Sequence, residues 1–216
     1  MLINILTLAA CLIAIIAYGM YYFNIKKSKQ IHSRYSWIIW SVSISLETIT
    51  YWQVSDDRMK SLFFIISSIC CILITVKIWT SSNWCGPNKA EKYSLLFYGL
   101  FLIVWPFIQI PFIAHLLLLI AIPITFIPTF KSSYSNFKNE KSIAWLLWSV
   151  SDFMVIIVIG LRLKTMEELP YAIIEFACHF SVVAIVFFQR LRSYNKIVTH
   201  KHQVHEWVSS KRVVSI

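Results

Sequence analysis

A chain of 216 residues that is 58% hydrophobic, 16% aromatic and only 14% charged is too apolar for an ordinary soluble domain, where charged residues make up roughly a quarter. The formal net charge of +10 would suggest nucleic acid in a soluble protein, but the basic residues fall in short loops and a tail between apolar runs, so lipid headgroups are the expected anionic neighbours and nucleic acid is not. Composition therefore points to an integral membrane protein.

A window of about 20 residues, enough to cross roughly 30 Å of hydrocarbon, predicts seven spans at about 2–23, 35–54, 60–80, 92–107, 109–128, 143–162 and 170–190. The first has no charged n-region and no small-residue cleavage pattern, so it reads as a retained span rather than a signal peptide. The second opens with Trp37 and Trp40 and carries Ser41, Ser43, Ser45 and Glu47. Lys77, near the end of the third, can snorkel to the interface. The fourth and fifth are hard to separate, because Trp105 to Pro111 holds two prolines and little polarity. Pro128 is expected to end the fifth, and a basic loop, 129–142, leads to Trp145, Trp148, Ser149, Ser151 and Asp152 in the sixth. Glu175 and His179 lie in the seventh, and His115, in the fifth, reads as a packed or interfacial histidine. Residues 191–216 form a polar, basic tail, expected as a surface helix or a mobile segment; its His200, His202 and His205 lack a metal framework. Cys11, Cys70, Cys71 and Cys178 lie in apolar runs and Cys85 in a loop, with no metal or disulfide spacing.

The two halves repeat. Trp37 corresponds to Trp145, Trp40 to Trp148, and the sequence WSVS recurs residue for residue, all at an offset of 108. Adding that offset to the first three spans lands on the last three. The expected fold is an all-α membrane protein of seven transmembrane helices, arranged as two parallel three-helix bundles joined by a linker helix (3+1+3): residues 1–80, a loop and linker at 81–108, residues 109–190, and the tail. With the N-terminus outside and the C-terminus in the cytoplasm, only Arg58, Lys60, Arg162 and Lys164 of the 20 Lys and Arg residues lie outside, a strong positive-inside bias.

Ionisable groups within spans are costly unless they face a cavity or a partner, so they are functional candidates. Trp145, Trp148 and Asp152 fall at i, i+3 and i+7, with Ser149 at i+4, on one helical stripe; Trp37, Trp40, Ser41, Ser45 and Glu47 occupy a comparable sector of the second span. Two such faces meeting at a pseudo-twofold axis would enclose a cavity of tryptophan planes, hydroxyls and carboxylates. That suits a small polar solute with apolar faces, such as a sugar or a nucleoside. For Trp37 and Trp145 an interfacial belt role stands beside the cavity role, whereas Trp40 and Trp148, one turn further in, favour the cavity. The serines, Ser41, Ser43, Ser149 and Ser151, favour helix packing over binding. Glu175 and His179, four residues apart on one face, read as a proton relay or as a self-satisfied structural pair. There is no glycine-rich phosphate loop, serine elbow or HExxH, and the seventh span has no lysine to carry a retinal Schiff base, so no enzyme is expected and no cofactor is implied.

With the basic loop followed by Ser36, Trp37 and Trp40 in one half, and Pro128, Thr129, Lys131, Glu140, Trp145 and Trp148 in the other, residues 2 to 190 resemble the SWEET and PQ-loop superfamily of small-solute carriers, nearest to uncharacterised bacterial seven-span proteins. A looser similarity is to nicotinamide riboside transporters. The resemblance implies a facilitator, with proton linkage left open, in the cytoplasmic (inner) membrane; it implies a hinge role for Pro128 and carries no substrate over. Met20 stands opposite Pro128 and neither half has a Pro-Gln pair, which departs from the superfamily's pattern. The reading is a carrier working by alternating access, with Trp37, Trp40, Trp145, Trp148, Ser149, Asp152 and Glu47 at the solute, and with homo-oligomers left open. The alternative is a non-transporting sensor or scaffold that signals through its basic tail.

Overall fold

The computed structural model describes the backbone of residues 2–25, 34–81, 86–108, 110–138, 140 and 142–213. The side chains of His200, His202 and His205, and Cys85 altogether, lie outside the described residues. All the regular structure described is helical: α1 (Leu2–Asn24), α2 (Arg34–Val54), α3 (Arg58–Ser81), α4 (Lys89–Val104), α5 (Pro111–Ser135), α6 (Ser142–Leu161) and α7 (Leu169–Val213), with 3-10 turns at Trp105–Phe107 and Met166–Glu168. Helix is what an apolar solvent demands, because hydrocarbon offers backbone N–H and C=O groups no partners.

Five helices, α1, α3, α5, α6 and α7, are long and apolar enough to cross a membrane. The protein is membrane-embedded. α2 is more polar because it buries Ser41, Ser43, Glu47 and Thr50 against its neighbours. α4 has 16 residues, about 24 Å of rise, and the 3-10 turn that follows it adds about 6 Å. It starts from a capping box in which the Asn88 side chain accepts from the Glu91 N–H and Glu91 accepts from the Asn88 N–H. Ser36 of α2 also donates to Glu91, at 2.5 Å.

Packing closes a ring. α1 lies on α6, α6 on α7, α7 on α5, α5 on α2, α2 on α3, and α3 on α1, while α4 leans on α2 and α5. A shift of 108 residues turns α1 into α5, α2 into α6 and α3 into α7, and carries this ring onto itself. Buried positions follow the same shift: Ala10, Ala14 and Ala17 of α1 correspond to the buried Leu118, Ile122 and Thr125 of α5. The alanines let α1 approach α6 closely, and Ser151 donates to the Ala10 carbonyl at 2.8 Å. The outward faces are apolar, as Leu8, Leu12 and Ile15 of α1 and Ile113, Leu117 and Ile120 of α5 illustrate.

One expectation is corrected. Pro128 does not end the fifth span, and residues 129–135 are not loop: α5 runs through Pro123 and Pro128 to Ser135. Each proline forfeits one backbone hydrogen bond, but stopping the helix within an apolar layer would orphan several. Of the two forms expected for the tail, a surface helix or a mobile segment, the backbone to Val213 takes the helical one, with no break at residue 190. α7 continues as helix from the apolar segment into the basic one.

Candidate functional site

The site is built around His179 on α7. Its ring lies nearly parallel to Trp148 of α6, 5.7 Å between centroids at 26°, and to Trp40 of α2, 6.3 Å at 14°. The offset-related tryptophans thus flank one imidazole. Phe126 of α5 meets it edge-on at 5.1 Å, and Trp145 stands 5.6 Å away. These separations lie within the range in which aromatic pairs attract. The imidazole Nδ1 is 2.6 Å from Asp152 Oδ2 and 3.6 Å from Glu175 Oε2. The main partner of His179 is therefore the acid across the helix interface, with the acid one turn back on its own helix second.

Around this cluster lies a narrow cavity of about 50 Å³, room for a few water molecules beside the side chains that line it. Its walls repeat at the offset of 108. Trp37 answers Trp145, and Trp40 answers Trp148. Ile44 answers Asp152, Phe63 answers Tyr171, Ser67 answers Glu175 and Cys71 answers His179. Tyr18 lines the wall as well, and its counterpart is Phe126. The shape is repeated but the chemistry is not, since both carboxylates and the imidazole come from the second half.

Of the residues expected at a solute site, Trp37, Trp40, Trp145, Trp148 and Asp152 line the cavity, together with Glu175 and His179. Trp145 and Trp148 pack at 4.9 Å, and the Trp145 indole donates to Glu140 at 2.7 Å. Trp148 is 4% exposed, yet its indole N–H has no acceptor among the described residues. Glu47 stands behind the wall, where it accepts from Ser43 at 2.7 Å and from the Tyr171 hydroxyl. It reaches the cavity only through Tyr171. Ser149 returns its hydroxyl to the Trp145 carbonyl, 2.9 Å away, and Ser43 also hydrogen-bonds Tyr98 of α4, so these serines serve the helices. Pro128 lies in α5 two residues beyond Phe126.

Sequence reasoning missed Tyr18, Ile44, Phe63, Ser67, Cys71 and Tyr171. Subtracting 108 from the acids and the histidine of the second half would have found three of them. It also missed the closure at the end of the bundle formed by the α2–α3 and α6–α7 connections. There Lys60, fully buried, places its Nζ 2.5 Å from Glu168 Oε2 and donates to the Arg162 carbonyl at 2.7 Å, while Ser55 donates to Glu168 at 2.6 Å. Arg162 pairs with Asp57 at 2.9 Å and donates to Asn4 at 2.7 Å, which ties in α1. Lys60 and Glu168 are themselves offset by 108, so equivalent positions of opposite charge meet. At the other end the closure is aromatic: Tyr21 packs on Trp37 at 4.9 Å and on Trp148 at 5.9 Å.

No known family, no curated protein and no solved structure matches the chain. The site must be read from its own chemistry. It offers flat rings on which a planar or cationic group can stack, two carboxylates, and one imidazole able to exchange a proton with them.

Proposed function

We propose that the protein is a membrane carrier of a small polar solute, working by alternating access. The observation that carries this reading is a cavity inside a ring of six helices whose wall residues pair at an offset of 108. Two repeats around one central site can rock against each other, and the seven-span, 3+1+3 arrangement of parallel repeats, with α4 as the linker, is the architecture proposed. It accords with the resemblance to the SWEET and PQ-loop superfamily. Charge bias supports an N-terminus outside and a C-terminus in the cytoplasm of an inner membrane. In that orientation Lys60, Glu168 and Arg162 close the outer end and aromatic rings close the inner one. The cluster of Asp152, His179 and Glu175 is the candidate for proton linkage.

One observation favours the second reading, a sensor that signals through its tail: the helix that carries His179 runs unbroken to Val213. The test is uptake by proteoliposomes of labelled sugars, nucleosides, amino acids and amines, with and without a proton gradient. The full chain is compared with Trp148→Ala, with Asp152→Asn and with a chain ending at Arg192. A carrier shows saturable uptake of one solute class, reduced at least ten-fold by either substitution and retained by the shortened chain. Ligand binding with no uptake would contradict the carrier reading and favour the sensor.

A further inference from the structure

We infer that the solute is a small organic cation, an ammonium or quaternary ammonium bearing a nearby hydroxyl or carbonyl oxygen, and that it binds where His179 now sits, between Trp40 and Trp148 and against Asp152. The inference uses the cavity of the carrier reading but rests on the chemistry of its walls.

Among the described residues neither lysine nor arginine lines this cavity, and its charge-bearing groups are two carboxylates and one imidazole. The wall thus carries more acidic groups than basic ones, which disfavours an anionic solute. A sugar fares little better. Its many hydroxyls need partners once buried, and the neutral hydrogen-bonding groups of the wall are few: Ser67, the Tyr18 hydroxyl and the indoles, since the Tyr171 hydroxyl is given to Glu47. Indole faces and carboxylates together are instead the equipment for a desolvated cation, which the ring faces attract at about 6 Å and the acids neutralise.

His179 shows the geometry such a ligand would adopt. The flat imidazole ring lies between two offset-related tryptophans with its Nδ1 2.6 Å from Asp152. The side chain occupies the cage as an internal stand-in, which a ligand cation displaces to reach the carboxylate. The second half of the ligand follows from Trp148. Its buried indole N–H has no acceptor among the described residues, and it calls for an acceptor oxygen near the cation.

The experiment titrates the purified full chain in detergent with choline and with 3,3-dimethyl-1-butanol, its neutral isostere, following tryptophan fluorescence and thermal unfolding. Choline is expected to bind at least ten-fold more tightly than the isostere. Asp152→Asn should abolish that preference, whereas His179→Ala should keep it and bind choline at least as tightly as the parent chain. Trp148→Phe, which keeps a weaker ring face and removes the N–H, should weaken choline several-fold more than it weakens tetramethylammonium. Equal binding of choline and its isostere, no binding of either, or an unchanged preference in a folded Asp152→Asn chain would overturn the inference. The two readings fail separately. Choline binding without flux would sink the carrier and leave the cation site standing, while flux of a neutral sugar without choline binding would sink the cation site and leave the carrier.

Discussion

Lys60 and Glu168 are both essentially excluded from solvent, so each is stable as an ion only because the other is there. Removing one leaves an uncompensated buried charge. Lys60→Met or Glu168→Leu alone is expected to destabilise the protein by about 3–5 kcal/mol, read as a lower melting temperature in detergent, with the double apolar variant recovering most of the loss. Because the two positions are equivalent under the repeat, exchanging the charges, Lys60→Glu with Glu168→Lys, should also recover much of it. Melting temperatures of the four chains check this, and a double variant as unstable as the sum of the singles would contradict the pairing. The pair was legible in principle, as opposite charges at matched positions, but loop-side charges read naturally as solvated. Asp152 and His179 were legible as intramembrane ionisable groups, and their partnership was not, since it joins two helices. Glu47 illustrates the limit of a helical sector. It lies three residues beyond Ile44, the true counterpart of Asp152, and that step turns it about 60° around the helix, behind Tyr171.

Among the elements, α5 separates what hydropathy shows from what it hides. The apolar run was plain, whereas the continuation through Pro128 was not, because a proline followed by a lysine-rich stretch has the local signature of a stop. Hydropathy likewise located α4 without its ends, which the Asn88 capping box and Pro106 set. In α5 the carbonyl of Ile124 receives no bond from Pro128, which leaves the helix softest beside Phe126, the residue that touches both Trp40 and His179. Pro128→Ala should therefore raise the melting temperature and slow solute uptake several-fold with little change in solute affinity. Unchanged uptake rates in proteoliposomes would remove α5 from the moving parts.

At the scale of the whole molecule, the tryptophan motif of α2 and α6 was enough to expose the repeat, and with it the pairing of α1 with α5 and of α3 with α7. The order of helices in the ring was not legible. It depends on which faces carry small residues, and the alanines of α1, which bring it against α6 in the other half, are ordinary in any apolar run. Nor did the pattern show that the second half alone would arm the cavity. Such a chamber, closed by an ion pair at one end and by rings at the other, has to open to each side in turn if it moves a solute. Counterflow tests that most directly. Proteoliposomes loaded with unlabelled solute and diluted into a trace of labelled solute should show transient accumulation of label above equilibrium, because a reorienting site exchanges one molecule for another. Accumulation in the full chain that is lost in Asp152→Asn is the result expected of this protein. Saturable binding of the same solute with no counterflow would contradict alternating access.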